Sequence, residues 1–477
     1  MFATSLCRPL PLGHSQLSKL CTRPIRSYSS SRESIALTIV GLDQENEPDA
    51  FFKAYNIARA KNLSNLLARF KPEELCSLAS RLRDGIACTL PAFDDGVDEA
   101  ARQKLVSAQM GGQNCHLDIQ FQDNVTWIAR IRPDDPTLPP AVVQDYISSS
   151  EVATLKWLEK LRIPTPKVYY HGLNAETNKV GVAFVLMEKM PGSPLDWSAA
   201  SQEQRSKVLA QLVDVFIELE RYPFQQLGSL IAGSRSSNVG PLAQSQTFES
   251  PDLPAGPEHS LRSYLEDMIQ HQLSMIRSGE LSSLPVDNYL SHLWRLEMLP
   301  TLLAPPTANS FYLKHFDDKG DHILVDENHN ITAIIEWEFA SVEAKELAFS
   351  SPCMMWPVSE FYDGSNELSL EETEFAALFA DRGRQDLADL VRNGRRFQRF
   401  TFFLAGASKE QEDFKALFYG LRAAFKQKGD IPCTHREWRL RALQRYASDD
   451  GLREVLKREE QQQPPAEAAQ ETDNAWW

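Results

Sequence analysis

Apolar and polar positions along this chain follow two periods, one helical and one of two residues, and the changes between them mark its parts. Between Asn46 and Arg83, Phe51, Phe52, Tyr55 and Ala58, then Leu63, Leu66, Leu67 and Phe70, recur at helical spacing, which predicts helices. After Met110-Gly-Gly-Gln-Asn114 the period drops to two. Cys115–Gln122 and Val125–Arg132 read as strands joined by a turn at Asp123-Asn124. A proline-rich loop follows over 133–140, and then a helix whose N-cap is expected at Ser150, running Glu151–Leu161. Val168–Tyr170 and Val182–Met187 are two further expected strands. The run Glu188-Lys-Met-Pro-Gly192 breaks the pattern as a hinge.

Beyond the hinge the spacing is helical again, over 202–220, 260–278 and 285–303, and from 369 to 459. A Ser/Pro/Gly-rich stretch at 233–259 reads as an exposed insertion or lid. Strand-like segments reappear at Ser310–His315, Ile323–Asp326 and Ile331–Trp337. The residues from 460 to 477 read as a low-complexity, disordered tail. The expected organisation is thus a helical extension over 33–104, a β-rich lobe over 105–190 and a mainly helical lobe over 191–459.

Charge and composition narrow the classes. The chain has 477 residues, with 50 Lys and Arg against 65 Asp and Glu, a net charge of −15. Such acidity argues against non-specific nucleic-acid binding. No stretch approaches the roughly 20 apolar residues of a spanning helix, so no transmembrane segment is expected. Seven scattered cysteines without a CxxC pair point to reduced thiols rather than a disulfide framework. Residues 1–32 hold Arg8, Lys19, Arg23, Arg26 and Arg32, dense serines and no acid, the composition of a mitochondrial transit peptide. Mitochondrial localisation is therefore expected, with the cytoplasm as the alternative. Loss of those five cations would leave a chain of charge −20.

The candidate chemistry lies in His315-Phe-Asp-Asp-Lys-Gly-Asp-His-Ile-Leu-Val-Asp326, followed by a strand closing on Ile335-Glu-Trp-Glu338. A hairpin brings its two ends together, so Asp317, His322 and Glu336 are expected at one mouth. Converging carboxylates suit a Mg-nucleotide site, and a surface hairpin with solvated acids is the alternative.

This segment resembles the catalytic and metal-binding run of the aminoglycoside phosphotransferase and choline-kinase-like enzymes, HGDxxxxNILVD followed by IDWE. The resemblance extends from about residue 105 to 425 and takes in Met110-Gly-Gly-Gln-Asn114, Glu151 and the Val185–Gly192 hinge. It implies an α+β, bilobal, protein-kinase-like fold, with a small antiparallel β lobe carrying one helix and a larger, mainly α lobe. It also implies ATP-dependent transfer of the γ-phosphoryl to a small-molecule hydroxyl, and the acidic charge fits a cationic substrate. By the same resemblance Asp317 is the catalytic base and His315 braces its loop. Arg130, paired with Glu151, contacts the nucleotide phosphates. Gly111 and Gly112 close over the nucleotide, Glu188 and Met190 belong to its hinge, and Glu336 and His322 hold the metal.

Three of these positions differ from the family pattern: His322 replaces Asn, Glu336 replaces Asp and Arg130 replaces Lys. Mg²⁺ prefers oxygen to imidazole, Mn²⁺ tolerates it better, and Asp321 offers a replacement oxygen. The extra methylene of Glu336 moves a metal by roughly 1 Å, enough to cost about 100-fold. Two further readings therefore stand beside the kinase: a catalytically impaired nucleotide-binding pseudokinase or scaffold, and a mitochondrial interaction protein that docks through the insertion and tail.

Overall fold

The computed structural model describes residues 47–462, apart from 95, 111–113, 134–140, 234–237, 244–256, 282, 305–309, 403, 405–409 and 427–432. The 1–32 leader, Gly111, Gly112, most of the 233–259 stretch and the tail beyond 462 lie outside the described residues.

The chain opens with helices α1 (Glu47–Arg69) and α2 (Pro72–Leu82). Pro72 starts α2 and Glu73 and Glu74 occupy its first turn, where a fixed φ and negative charge both favour a helix N-terminus. Next come β1 (Cys88–Thr89), α3 (Glu99–Ala108), β2 (Cys115–Phe121), β3 (Thr126–Ile131), α4 (Ala141–Leu158), β4 (Val168–Gly172) and β5 (Phe184–Glu188). The strands form one sheet in the order β1-β2-β3-β5-β4, with every pairing antiparallel. Period-two alternation sorts its faces. Leu117, Ile119, Trp127, Ala129, Phe184 and Leu186 share a core with Leu66, Phe70, Leu75 and Ala79, so α1 and α2 roof the outer face. Ile128, Val185 and Met187 face the other way, into the larger core.

The helix expected to begin at Ser150 begins at Ala141 instead. Ser150 is buried inside it, with its carbonyl accepting a hydrogen bond from Thr154 Oγ1 at 2.9 Å. Glu151 is consequently a mid-helix residue, held buried.

At the hinge, Gly192 has φ +103, and a Cβ there would meet Thr332 Oγ1 at 2.4 Å and Val325 O at 2.8 Å, an approach only glycine allows. The chain continues through β6 (Ser193–Pro194), α5 (Gln202–Glu220), β7 (Ser229–Ile231), β8 (Asn238–Gly240), α6 (Leu261–Ser278) and α7 (Pro285–Leu302). Then follow β9 (Phe311–Lys314), β10 (Ile323–Val325), β11 (Ile331–Ile334), β12 (Ser341–Ala344), α8 (Lys345–Ala348), α9 (Val358–Tyr362), α10 (Leu370–Asp381) and α11 (Gln385–Arg392). The last helices are α12 (Arg395–Thr401), α13 (Gln411–Ala424), α14 (His435–Arg445) and α15 (Asp450–Gln462). Strands β11-β10-β6 make one small sheet, and β12 pairs with β9.

Two expectations need correction here. The described part of the insertion is not a free loop: β8 pairs with β7, and Leu242 and Ala243 are buried. Helix α15 runs to Gln462, past the boundary expected for the tail. The architecture is nevertheless the expected α+β, bilobal one: a small antiparallel β lobe with one inserted helix, a hinge, and a larger helical lobe carrying a β hairpin.

Candidate functional site

The loop between β9 and β10 is braced at several points. Lys314 Nζ lies 2.7 Å from Asp318, whose carboxylate also accepts from the Cys353 backbone N–H at 3.0 Å. His315 Nε2 meets the carbonyl of Ile335 at 2.8 Å, which ties the loop to the end of the hairpin. The His315 ring stacks on His322 with centroids 4.2 Å apart and meets Trp337 edge-on at 4.8 Å. Asp318 thus serves the loop's own structure, and the outward carboxylates are Asp317 and Asp321.

Lys319 bridges those two. Its Nζ is 2.9 Å from Asp317 Oδ2 and 3.3 Å from Asp321 Oδ2. Burial raises the Asp317 carboxyl above its ordinary range, and Lys319 opposes that rise. Sequence reasoning had passed over Lys319; the alternation Asp317-x-Lys319-x-Asp321 was the available signal.

Glu336 follows β11 with φ +61, and Phe339 with φ +65. Left-handed backbone is costly for residues with a Cβ and collects at functional sites. Although the Glu336 side chain reaches solvent, its carboxyl is pushed up to about 7 by the protein crowded around it, and then by the charges of Asp321 and Asp317. A cation placed among these carboxylates would relieve that repulsion.

From the small lobe, Arg130 on β3 forks Glu151 on α4 through both terminal nitrogens, the Nη1 to Oε1 bond being 2.5 Å. Both are buried, and Arg130 and Glu336 act on each other electrostatically. Asp317, Glu336, Arg130 and Glu151 therefore belong to one charge cluster, joined by Lys319 and Asp321. Glu188 and Met190 lie apart from it at the hinge: Glu188 accepts from the Lys167 backbone N–H at 3.3 Å.

His322 sits below this cluster and is almost wholly enclosed. Its Nδ1 accepts the Gly320 backbone N–H at 3.3 Å, so the ring hydrogen lies on Nε2, and that tautomer has no lone pair left for a metal. Burial drives its pKa well below the ordinary value, and the neighbouring His315 adds to the effect. The donor set that fits Mg²⁺ is therefore the oxygen pair Glu336 and Asp321, with His322 as a brace. Among the described residues no group of three or more His, Cys, Asp or Glu is arranged to hold a metal. A Mg-nucleotide site needs only one or two carboxylates besides phosphate.

The sequence model of the phosphotransferase enzyme family (APH) matches residues 116–344. Among curated proteins, clavilactone A biosynthesis cluster protein Y of Ampulloclitocybe clavipes is 26% identical over 287 residues, 57% of this chain and 65% of that protein. Altered inheritance of mitochondria protein 9, mitochondrial, of Komagataella phaffii is 39% identical over 95 residues, 18% of this chain and 16% of that one. The chain thus spans less than two thirds of the length of these relatives. Similar solved structures include a putative aminoglycoside phosphotransferase of Ralstonia eutropha, with TM-score 0.43, 17% identity and coverage of 75% of this chain and 96% of that one. Plasmodium vivax ethanolamine kinase gives TM-score 0.38 and 11% identity, covering 94% and 97%. The segment that the phosphotransferase family model matches, 116–344, holds the whole charge cluster, and the chain resembles the aminoglycoside phosphotransferase and choline-kinase-like enzymes.

Proposed function

We propose that the protein is an ATP-dependent phosphotransferase that moves the γ-phosphoryl group onto the hydroxyl of a small molecule. The observation that supports this most is the meeting of Asp317, Lys319, Asp321 and Glu336 in the large lobe with the Arg130–Glu151 pair of the small lobe. In this reading the partly buried Ile128 roofs the base of the nucleotide, backed by the buried Val185 and Met187. Glu151 holds Arg130 extended so that its remaining N–H groups meet the α and β phosphates. Asp317 accepts the hydrogen of the incoming hydroxyl and orients its oxygen toward the γ-phosphorus. Lys319, carried on the same loop, meets the charge that develops on the transferred group. Glu336 and Asp321 would hold Mg²⁺, which neutralises phosphate charge when bound. His315 and His322 keep the loop in place from beneath.

The test is ADP release with a panel of hydroxyl-bearing amines and sugars, beside calorimetric ATP binding. Asp317→Asn is expected to lower transfer by roughly 10³-fold while ATP still binds. Transfer at wild-type rate in that variant would sink the assignment.

A second reading, a nucleotide-binding pseudokinase, is favoured by one observation: the Nδ1 of His322 is taken by the Gly320 N–H, which removes one expected metal ligand. ATP binding without turnover on any acceptor would select it. The basic 1–32 leader is read as mitochondrial targeting, in keeping with the mitochondrial relative, and a fluorescent fusion with and without those residues tests it.

A further inference from the structure

The helical lobe contains a partly open cavity between α7, α12 and α13, its surface mostly apolar with a few buried polar side chains. Ser291, His292, Arg295 and Arg399 line one side, and Phe402 and Phe418 line the other. None of the residues 315–322 borders it. His292 is 1% exposed, Arg399 2% and Arg295 6%.

The two guanidiniums are held rigidly but not neutralised. Arg295 donates to the carbonyls of Phe400 at 3.1 Å and Phe402 at 3.2 Å, and to Ser291 Oγ at 3.1 Å. Arg399 donates to Asn366 Oδ1 at 2.9 Å and to the Ser365 carbonyl at 2.6 Å, and lies 3.5 Å over the Phe361 ring. Among the described residues no carboxylate pairs with either. Arg395, one turn before Arg399, has its carboxylate in Glu372 at 2.6 Å. Among the described residues neither Arg399 Nη1 nor His292 Nδ1, both buried, has a hydrogen-bond partner. Buried cations are costly unless an opposite charge meets them, and buried donors are costly unless something accepts from them. Burial lowers Arg295 to about 10; burial, and then the charge of Arg395, lowers Arg399 to about 9. Both remain cationic at neutral pH.

We propose that this cavity binds a small organic carboxylate, with its carboxylate oxygens on Arg399 Nη1 and His292 Nδ1 and its apolar body against Phe402 and Phe418. A neutral imidazole carrying its hydrogen on Nδ1 donates to one oxygen, while Arg399 donates to the other. The apolar wall selects a carboxylate over inorganic phosphate, because phosphate oxygens facing phenyl rings would go unpaired. The site does not depend on phosphoryl transfer, since it shares no residue with the Asp317 loop.

The experiment is calorimetric titration of the full-length protein with sodium acetate, butyrate and phosphate, at fixed ionic strength set with sodium chloride. Saturable binding of one butyrate per chain is expected, tighter than acetate and unchanged in Asp317→Asn. Arg399→Lys, which keeps the charge but loses the fork, should weaken butyrate roughly tenfold. Because that variant could misfold, wild-type crystals soaked with 4-bromobutyrate provide an independent check, with the bromine expected beside Phe402. Absence of saturable butyrate binding, affinity unchanged in Arg399→Lys, bromine located elsewhere, or phosphate binding where butyrate does not would each overturn the proposal.

Discussion

Arg132, just past β3, and Glu338, two residues past Glu336, form an ion pair across the two lobes, with side chains only 9% and 11% exposed. Asn114 adds a hydrogen bond to the same carboxylate at 3.2 Å. Two segments far apart in the chain are thereby fastened at the mouth of the cleft. Removing one member of so buried a pair strands the other charge, which costs about 3 kcal/mol. Glu338→Ala should therefore lower stability by about that amount in urea denaturation, and Arg132→Met combined with Glu338→Leu should recover most of it. A single-variant loss no larger than about 0.5 kcal/mol, the usual size for an exposed pair, would show that the contact does not fasten the lobes.

Lys319 stands between Asp317 and Asp321 and opposes the rise that burial imposes on Asp317. Lys319→Met should accordingly do two separate things. Turnover should fall roughly 10²-fold through loss of charge stabilisation. The acid limb of the rate profile should also move to higher pH, because Asp317 must be ionised to accept the substrate hydrogen. Initial rates across pH 5 to 9, set against the wild type, read both effects. A lowered rate with an unmoved acid limb would separate Lys319 from Asp317.

Much of this was legible in the sequence. The period-two runs at 115–122 and 125–132 give the hairpin to within a residue or two, because one sheet face is buried under α1 and α2. Strand β12 was not legible. All four of its residues are buried, so it shows no alternation, and the left-handed residues Glu336 and Phe339 that precede it obscure the strand's start. The start of α4 was missed because Ser150 looks like a cap and is instead a buried mid-helix serine. In the site, the hairpin's residue types and spacing pointed to Asp317, His322 and Glu336, whereas Arg130 and Glu151 were named only through the family resemblance. Neither spacing nor type could show which nitrogen of His322 is used, since that depends on a backbone N–H two residues away.

His322→Asn tests that reading of the ring. The stacked His315 ring and the Gly320 N–H both lose a partner, and a loss of about 1 kcal/mol in stability is expected. If the imidazole is a brace and not a ligand, the asparagine carbonyl adds an oxygen donor where none was available. Mg²⁺-dependent nucleotide affinity should then rise, measured by titration of ADP with and without the metal. A fall in metal-dependent affinity would restore His322 as a ligand.

Glu343, on β12, is buried with Ser341 Oγ as its hydrogen-bond donor at 2.6 Å. Burial pushes its carboxyl up to about 7, against the weaker downward pull of Ser341 and Lys314, and Tyr264 also faces it. In the unfolded chain it ionises near 4.5. Between those two values the unfolded state releases a proton that the folded state keeps, so stability must fall as pH rises from about 4.5 to about 7 and then level off. Glu343→Gln keeps the shape and cannot ionise, so it should flatten that decline by an amount of order a few kcal/mol. Glu336 contributes a decline of the same sign, which makes the difference between wild type and variant the quantity to read. Urea midpoints at pH 5, 6, 7 and 8 supply it, and parallel curves for the two proteins would mean that Glu343 is already ionised in the folded chain.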